Sequence, residues 1–213
     1  MTIATESIQN VGVIGLGRMG TEIANNIIKS GFNLVVYNRA VDKTRALVEA
    51  GAVMTVSAKE AALKSDVILT SLRDDAAVLE VVNGEKGILS GLRPGTIHIS
   101  TSTISPSLST KLVQMHEKQG SLYLAAPVLG NPAAAKEGKL TTFVAGNKTA
   151  IKNCKRLLNS YCQRVIEVGN EHAKANTLKL SANYVMLTLL DVMGQVYVLA
   201  EKSNIDLLNS NFS

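Results

Sequence analysis

The stretch Val11-Gly12-Val13-Ile14-Gly15-Leu16-Gly17-Arg18-Met19-Gly20 decides the fold. A short apolar run of the buried-strand type passes directly into Gly-x-Gly-x-x-Gly, and a helical pattern follows from Met19 to about Lys29. Alone, such a glycine string is weak, because glycine-rich turns recur by chance. Between a strand and a helix it has a mechanical reading. Gly15 permits the tight turn, Gly17 lets the backbone approach a pyrophosphate, and Gly20 lets helix and strand pack closely. The free N–H groups and positive end of the helix then meet phosphate charge. Gly15, Leu16, Gly17, Arg18, Met19 and Gly20 are therefore candidate dinucleotide-binding residues, the alternative being a glycine turn with no ligand.

Outward from this turn, short apolar runs alternate with amphipathic helical patterns. The runs are Leu34–Tyr37, Asp66–Ser71 and Thr96–Ser100, then Leu122–Val128, Thr141–Ala145 and Arg164–Val168. That alternation predicts βαβ units in an α/β fold: a Rossmann-type doubly wound, mainly parallel sheet. From about His172 some thirty residues run to Lys202 with no Pro and a single Gly. At 1.5 Å per residue this is a helix of about 45 Å, the length of a spine joining two domains. The expected division is a dinucleotide-binding domain over residues 1–168 and, over 169–213, a long interdomain helix that begins a second domain.

Composition excludes several classes. Of 213 residues 46% are hydrophobic and 18% charged, which is incompatible with a disordered chain. Cys154 and Cys162 form no CxxC and have no His at metal spacing, so neither a disulfide framework nor a metal site is expected. The N-terminal MTIATESIQN shows no leader pattern. Tyr184–Ala200 is the most apolar stretch, but Asp191, Gly194 and Gln195 interrupt it, so it reads as a buried helix rather than a membrane span. The net charge of +5 is dispersed; the tightest cluster, Lys152, Lys155 and Arg156, has helical spacing and no interleaved aromatic. The expectation is a soluble cytoplasmic protein that binds neither nucleic acid nor membrane.

The second strand bears on which dinucleotide binds. An NAD site usually ends this strand in Asp or Glu, which accepts from the ribose hydroxyls. Here Asn38-Arg39 stands there, followed by Lys43 and Thr44. A carboxylate repels a 2′-phosphate, whereas a guanidinium holds one by charge-assisted hydrogen bonds. Asn38, Arg39 and Thr44 thus join the cofactor candidates, and NADP is favoured over NAD. The bland reading of Arg39 is a solvated loop charge.

Two further places carry polar groups with chemical promise. Ser102-Thr103-Ile104-Ser105-Pro106 follows a strand, with Ser105 suited to an N-cap and Pro106 to the first helical position. Hydroxyls and free N–H groups there face the crevice where doubly wound sheets bind ligands, and a carboxylate would be at home; a plain capped loop explains the composition equally well. On the long helix Lys179 and Asn183 are i and i+4, on one face with Met186, Leu187 and Leu190. A lysine within an apolar stripe is paired, partly solvated or lowered in pKa, and the last makes proton transfer feasible. An ordinary surface lysine is the alternative.

GLGRMG, STISP, APVLGNPAAAKEGKL and Lys179-xxx-Asn183 together resemble the β-hydroxyacid dehydrogenases, relatives of 3-hydroxyisobutyrate dehydrogenase and tartronate semialdehyde reductase. These share the NAD-binding superfamily of 6-phosphogluconate dehydrogenase. The resemblance runs from about Val11 to the chain end, with the motifs in the family's order. It implies reversible hydride transfer between a nicotinamide ring and a small hydroxy acid or its semialdehyde. It also implies Lys179 as general acid, Asn183 orienting it, and Ser102, Thr103 and Gly130 holding the carboxylate. Thr103 would lie near the nicotinamide and Leu72 would line the cofactor.

Departures from the family pattern are visible. Ser100-Thr-Ser-Thr103 stands for DxST and Ala126-Pro-Val-Leu129-Gly-Asn131 for APVSGG. Leu129 replaces a hydroxyl, which implies a more apolar substrate pocket. Arg73 occupies a place usually held by Pro. The family continues into a further helical domain, whereas this sequence stops at Asn209–Ser213, which reads as a shortened chain exposing Tyr184, Leu187 and Leu190. Self-association is the expected cover for that stripe. The alternatives to an active dehydrogenase are a non-catalytic or weakly active truncated dinucleotide-binding module and, on the same scaffold, an imine reductase.

Overall fold

The computed structural model describes residues 8–205. The first seven residues of the polar N-terminal stretch and the chain end at Asn209–Ser213 lie outside the described residues. The chain divides into two units, one reaching Lys179 and one beginning at Leu180.

In the first unit a six-stranded parallel sheet has the order β3-β2-β1-β4-β5-β6, built from β1 (Asn10–Ile14), β2 (Asn33–Tyr37), β3 (Val53–Met54), β4 (Val67–Thr70), β5 (Ile97–Ser100) and β6 (Leu122–Ala125). This is the expected doubly wound α/β fold. The strands are continuous apolar runs because both faces are covered. Val67 and Leu69 pack into one hydrophobic layer and Ile68 into the other; likewise Leu34 and Val36 oppose Val35. Full burial of each such side chain contributes roughly 1.5–3 kcal/mol.

The helices, α2 (Arg45–Glu49) and α3 (Ala58–Leu63) between the first and fourth, follow from local sequence. Gly17 precedes α1 (Arg18–Lys29), whose Ile23, Ala24 and Ile27 are fully buried at i, i+1 and i+4. Asp74 caps α4 (Asp75–Val82) by accepting the Ala77 N–H. Ser105 caps α5 (Pro106–Lys118), accepting the Leu108 N–H at 3.1 Å, with Pro106 at the first helical position as expected.

The strand-like runs after β6 do not extend this sheet. They form a second one, in the order β7 (Val128–Leu129), β8 (Leu140–Val144), β9 (Cys162–Glu167), with β7 antiparallel and β9 parallel to β8. The run Leu122–Val128, expected as one strand, is broken between β6 and β7 at Ala126-Pro127, where proline has no N–H for a ladder. β3, only two residues long, is not marked by any sequence period.

The long helix is continuous from His172 to Lys202, 31 residues. The expectation that Tyr184–Ala200 is buried is corrected: every residue from Tyr184 to Leu199 is exposed, Tyr184 at 73% and Leu199 at 66%. Apolar composition sets how much a helix gains from cover, and among the described residues nothing covers this stretch. By length and composition alone the helix is also long and apolar enough to cross a membrane.

Candidate functional site

The strand order reverses between β1 and β4, so a crevice opens at their carboxyl ends. A cleft of about 450 Å³ lies there, and its lining includes Gly15, Gly17, Asn38, Arg39 and Leu72. These residues were expected at a cofactor and the fold brings them together. Leu16, Arg18, Met19, Gly20, Thr44 and Thr103 are not part of the lining.

The three glycines of the turn do different work. Gly15 has φ +93°, a left-handed conformation, and a β-carbon there would press on the Ser71 carbonyl and the Leu72 side chain. A β-carbon at Gly20 would collide with the Gly15 carbonyl oxygen. Gly17 is unlike both: its φ of −74° suits any residue, and an added β-carbon would meet nothing within 4 Å. The chain's own packing therefore does not explain a glycine at 17, whereas a ligand approaching the backbone at the helix N-terminus does.

Neighbouring residues hold this turn in place. The Leu16 side chain is in the core, and its N–H donates to Asn38 Oδ1 at 2.9 Å, while Asn38 Nδ2 donates to the Ala40 carbonyl at 2.8 Å. Both ends of the Asn38 amide thus lock the glycine turn to the end of β2. Arg18 is exposed and Met19 packs on the core. Thr44 is buried with its hydroxyl donating to the Val41 carbonyl at 2.7 Å, so it faces inward.

Four cationic side chains, Arg39, Lys43, Arg73 and Lys86, line the cleft against one carboxylate, Glu80. Arg39 reaches across to Glu80 on α4 at 3.6 Å, and Arg73 pairs with Asp74 at 2.9 Å. Glu80 and Lys86 were not anticipated from sequence, since no local period connects α4 and the loop after it to the end of β2.

The Ser/Thr loop is more tightly built than its composition suggests. Ser102 is buried, and its hydroxyl accepts the Leu72 N–H at 2.8 Å. Asp75 receives both the N–H and the hydroxyl of Ser105. Thr103 stays partly exposed. Gly130, exposed and at φ +134°, follows β7 in the second sheet.

Lys179 is 8% exposed, and burial lowers its pKa below the ordinary 10.5. No ion pair among the described residues involves it. One turn earlier Asn176 is buried with its amide oxygen lacking a partner. Asn183 falls in the second unit and is partly buried.

The three histidines of the chain gather around Tyr123. The Leu112 carbonyl, which only accepts, lies 2.7 Å from His116 Nδ1 and therefore fixes the proton there. His116 Nε2 then accepts from His98 Nδ1 at 3.0 Å, and His98 Nε2 accepts from the Thr70 hydroxyl at 3.0 Å. With both rings neutral, every ring nitrogen of this chain has a partner. Accordingly burial pushes His98 well below 6.5 and His116 down to about 4. His172 donates to the Tyr123 carbonyl at 2.8 Å and is lowered too, again by burial. Cys154 and Cys162 are free, and burial pushes both thiols up to about 12.

Comparison with known proteins accords with this geometry. Residues 10–169 match the family model of the NAD binding domain of 6-phosphogluconate dehydrogenase. An uncharacterized oxidoreductase of Bacillus subtilis, YfjR, is 41% identical over 196 residues, which are 92% of this chain and 68% of that protein. The mitochondrial 3-hydroxyisobutyrate dehydrogenase of Mus musculus is 37% identical over 159 residues, 75% of this chain. The aligned part is 48% of the mouse protein, so the chain spans about half the length of that relative. Among solved structures, Psf3 in complex with NADP+ and 2-OPP superposes with a TM-score of 0.86 at 30% identity, covering 92% of this chain and 69% of that one. The chain belongs to the family defined by the NAD-binding domain of 6-phosphogluconate dehydrogenase, among relatives of the 3-hydroxyisobutyrate dehydrogenase type.

Proposed function

We propose that the chain is an NADP-preferring oxidoreductase that interconverts a small β-hydroxy acid and its semialdehyde or keto form. The observation that carries the reading is Gly17, a glycine the fold does not need, facing a cleft lined by four cations and one carboxylate. That lining suits a polyanion, and a 2′-phosphate beside Arg39 suits it better than a bare ribose. The complex of Psf3 with NADP+ lends support at 30% identity.

When bound, the nicotinamide dinucleotide supplies or accepts the hydride at the substrate's carbonyl carbon. The chain's own residues handle the proton and the carboxylate. Lys179 delivers a proton to the carbonyl oxygen during reduction and recovers it during oxidation; a pKa lowered by burial moves it toward the range where both are feasible. Asn183, four residues on, is assigned to orient it. Ser102, Thr103 and the Gly130 turn are assigned to the substrate carboxylate, the Ser102 hydroxyl also accepting the Leu72 N–H. We divide the chain functionally at Gly169, with the long helix opening a helical domain whose apolar stripe another copy of the chain covers.

The exposed stripe Tyr184–Leu199 favours a second reading, a dinucleotide-binding module inactive on its own. Oxidation of NADPH by the purified chain with a panel of small semialdehydes separates the two. Substrate-dependent turnover, lowered about 10²- to 10⁴-fold by Lys179→Ala with cofactor affinity retained, supports the enzyme. Cofactor binding without turnover on any semialdehyde supports the module.

A further inference from the structure

The end of β2 lacks the carboxylate that usually meets the adenosine ribose of NAD, because Asn38-Arg39 stands there. The fold supplies one from elsewhere. Glu80, on the opposite wall of the cleft, is its one lining carboxylate among the described residues and reaches Arg39 at 3.6 Å. A guanidinium and a carboxylate therefore face each other at the end of β2. With side-chain exposures of 83% and 66%, the pair is well solvated and holds its partners weakly.

We propose that Glu80 is a specificity-determining residue that gives the cleft a second cofactor mode. Arg39 leaves Glu80 for a 2′-phosphate, while Glu80 accepts a hydrogen bond from a 2′-hydroxyl when no phosphate is present. This rests on the placement of the dinucleotide proposed above. The chemistry sets opposite signs for the two cofactors. A phosphate carries nearly two negative charges and offers paired oxygens, so it outcompetes the carboxylate for the guanidinium, yet it remains repelled by Glu80 nearby. A ribose hydroxyl offers a donor, which a carboxylate accepts and a guanidinium cannot. Glu80 thus weakens NADPH binding and strengthens NADH binding, narrowing the discrimination that Arg39 creates.

The test is fluorescence titration of the unsubstituted chain, Glu80→Gln and Arg39→Ala with NADPH and with NADH at fixed ionic strength, with melting temperatures recorded in parallel. Glu80→Gln removes the charge while keeping the shape, and Glu80→Ala is a second variant that removes the acceptor. Both are expected to tighten NADPH about 2- to 5-fold and to weaken NADH, Glu80→Ala by about the same factor and Glu80→Gln, whose amide oxygen still accepts, by about 2-fold, opposite shifts that a change in fold would not produce. Arg39→Ala is expected to weaken NADPH about 10- to 100-fold with little effect on NADH. Shifts in the same direction for both cofactors, or no shift, in the Glu80 variants overturn the role of Glu80. An unchanged NADPH-to-NADH ratio in Arg39→Ala overturns instead the placement on which it rests, and failure of the unsubstituted chain to bind either cofactor overturns both.

Discussion

The backbone N–H of Leu72 donates to the buried hydroxyl of Ser102 at 2.8 Å, which ties the loop after β4 to the loop after β5. Leu72 lines the cleft, so the Ser102 hydroxyl braces the cleft wall by accepting this N–H while its own O–H stays available to a ligand. Ser102→Ala leaves that N–H without its partner, at an expected cost of about 1–2 kcal/mol. Urea denaturation checks this. An unchanged midpoint would show that the bond carries no stability.

The neutral histidine pair makes stability depend on pH. Folded His98 and His116 have depressed pKa values, so the unfolded chain takes up protons there that the folded one does not. Their contribution is fully present above about pH 6.5 and is lost as the pH falls toward 4, with His172 acting in the same direction. Each histidine neutral when folded and charged when unfolded changes stability by about 1.4 kcal/mol per pH unit. Denaturant midpoints measured between pH 5 and 7 are expected to rise with pH; a flat profile contradicts the neutral pair.

Lys179 sets the alkaline limit of the proposed reduction. A general acid works protonated, so its rate falls as the pH rises through its pKa, which burial places below 10.5. The profile of kcat/KM is expected to turn down below that value and to lose this limb in Lys179→Ala. A downturn at or above 10.5 would assign the proton to another group.

Much of this site was legible in sequence because the signals were local. The glycine turn, the Ser105 cap with Pro106 and the helix from His172 each depend on residues within a few positions of one another. What local reading missed was convergence. Asn38 bonding Leu16 spans 22 residues, and Arg39 meeting Glu80 joins the end of β2 to α4. Thr44 followed Arg39 in sequence yet turned inward, since a short 3₁₀ turn directs its hydroxyl to Val41. β3 was invisible because two residues are too few to show a period.

Glycine substitutions separate structural from ligand-facing roles. Gly20→Ala forces a β-carbon into the Gly15 carbonyl, a backbone atom that cannot move without opening the turn. A loss on the order of 1–3 kcal/mol or more is expected, read as a lowered melting temperature. Equal stability would mean that the helix can shift away from the strand.

Gly17 provides the most direct test of the dinucleotide reading. Its β-carbon has space in the free protein, so Gly17→Val is expected to fold, at the cost of about 1 kcal/mol for a poorer N-cap, while its side chain enters the path of the pyrophosphate. Titration of both proteins with NADPH, followed by nicotinamide fluorescence, is expected to show saturable binding that the variant loses by about 100-fold or more. Equal binding by a folded Gly17→Val would mean that no pyrophosphate approaches the turn, and would contradict the account.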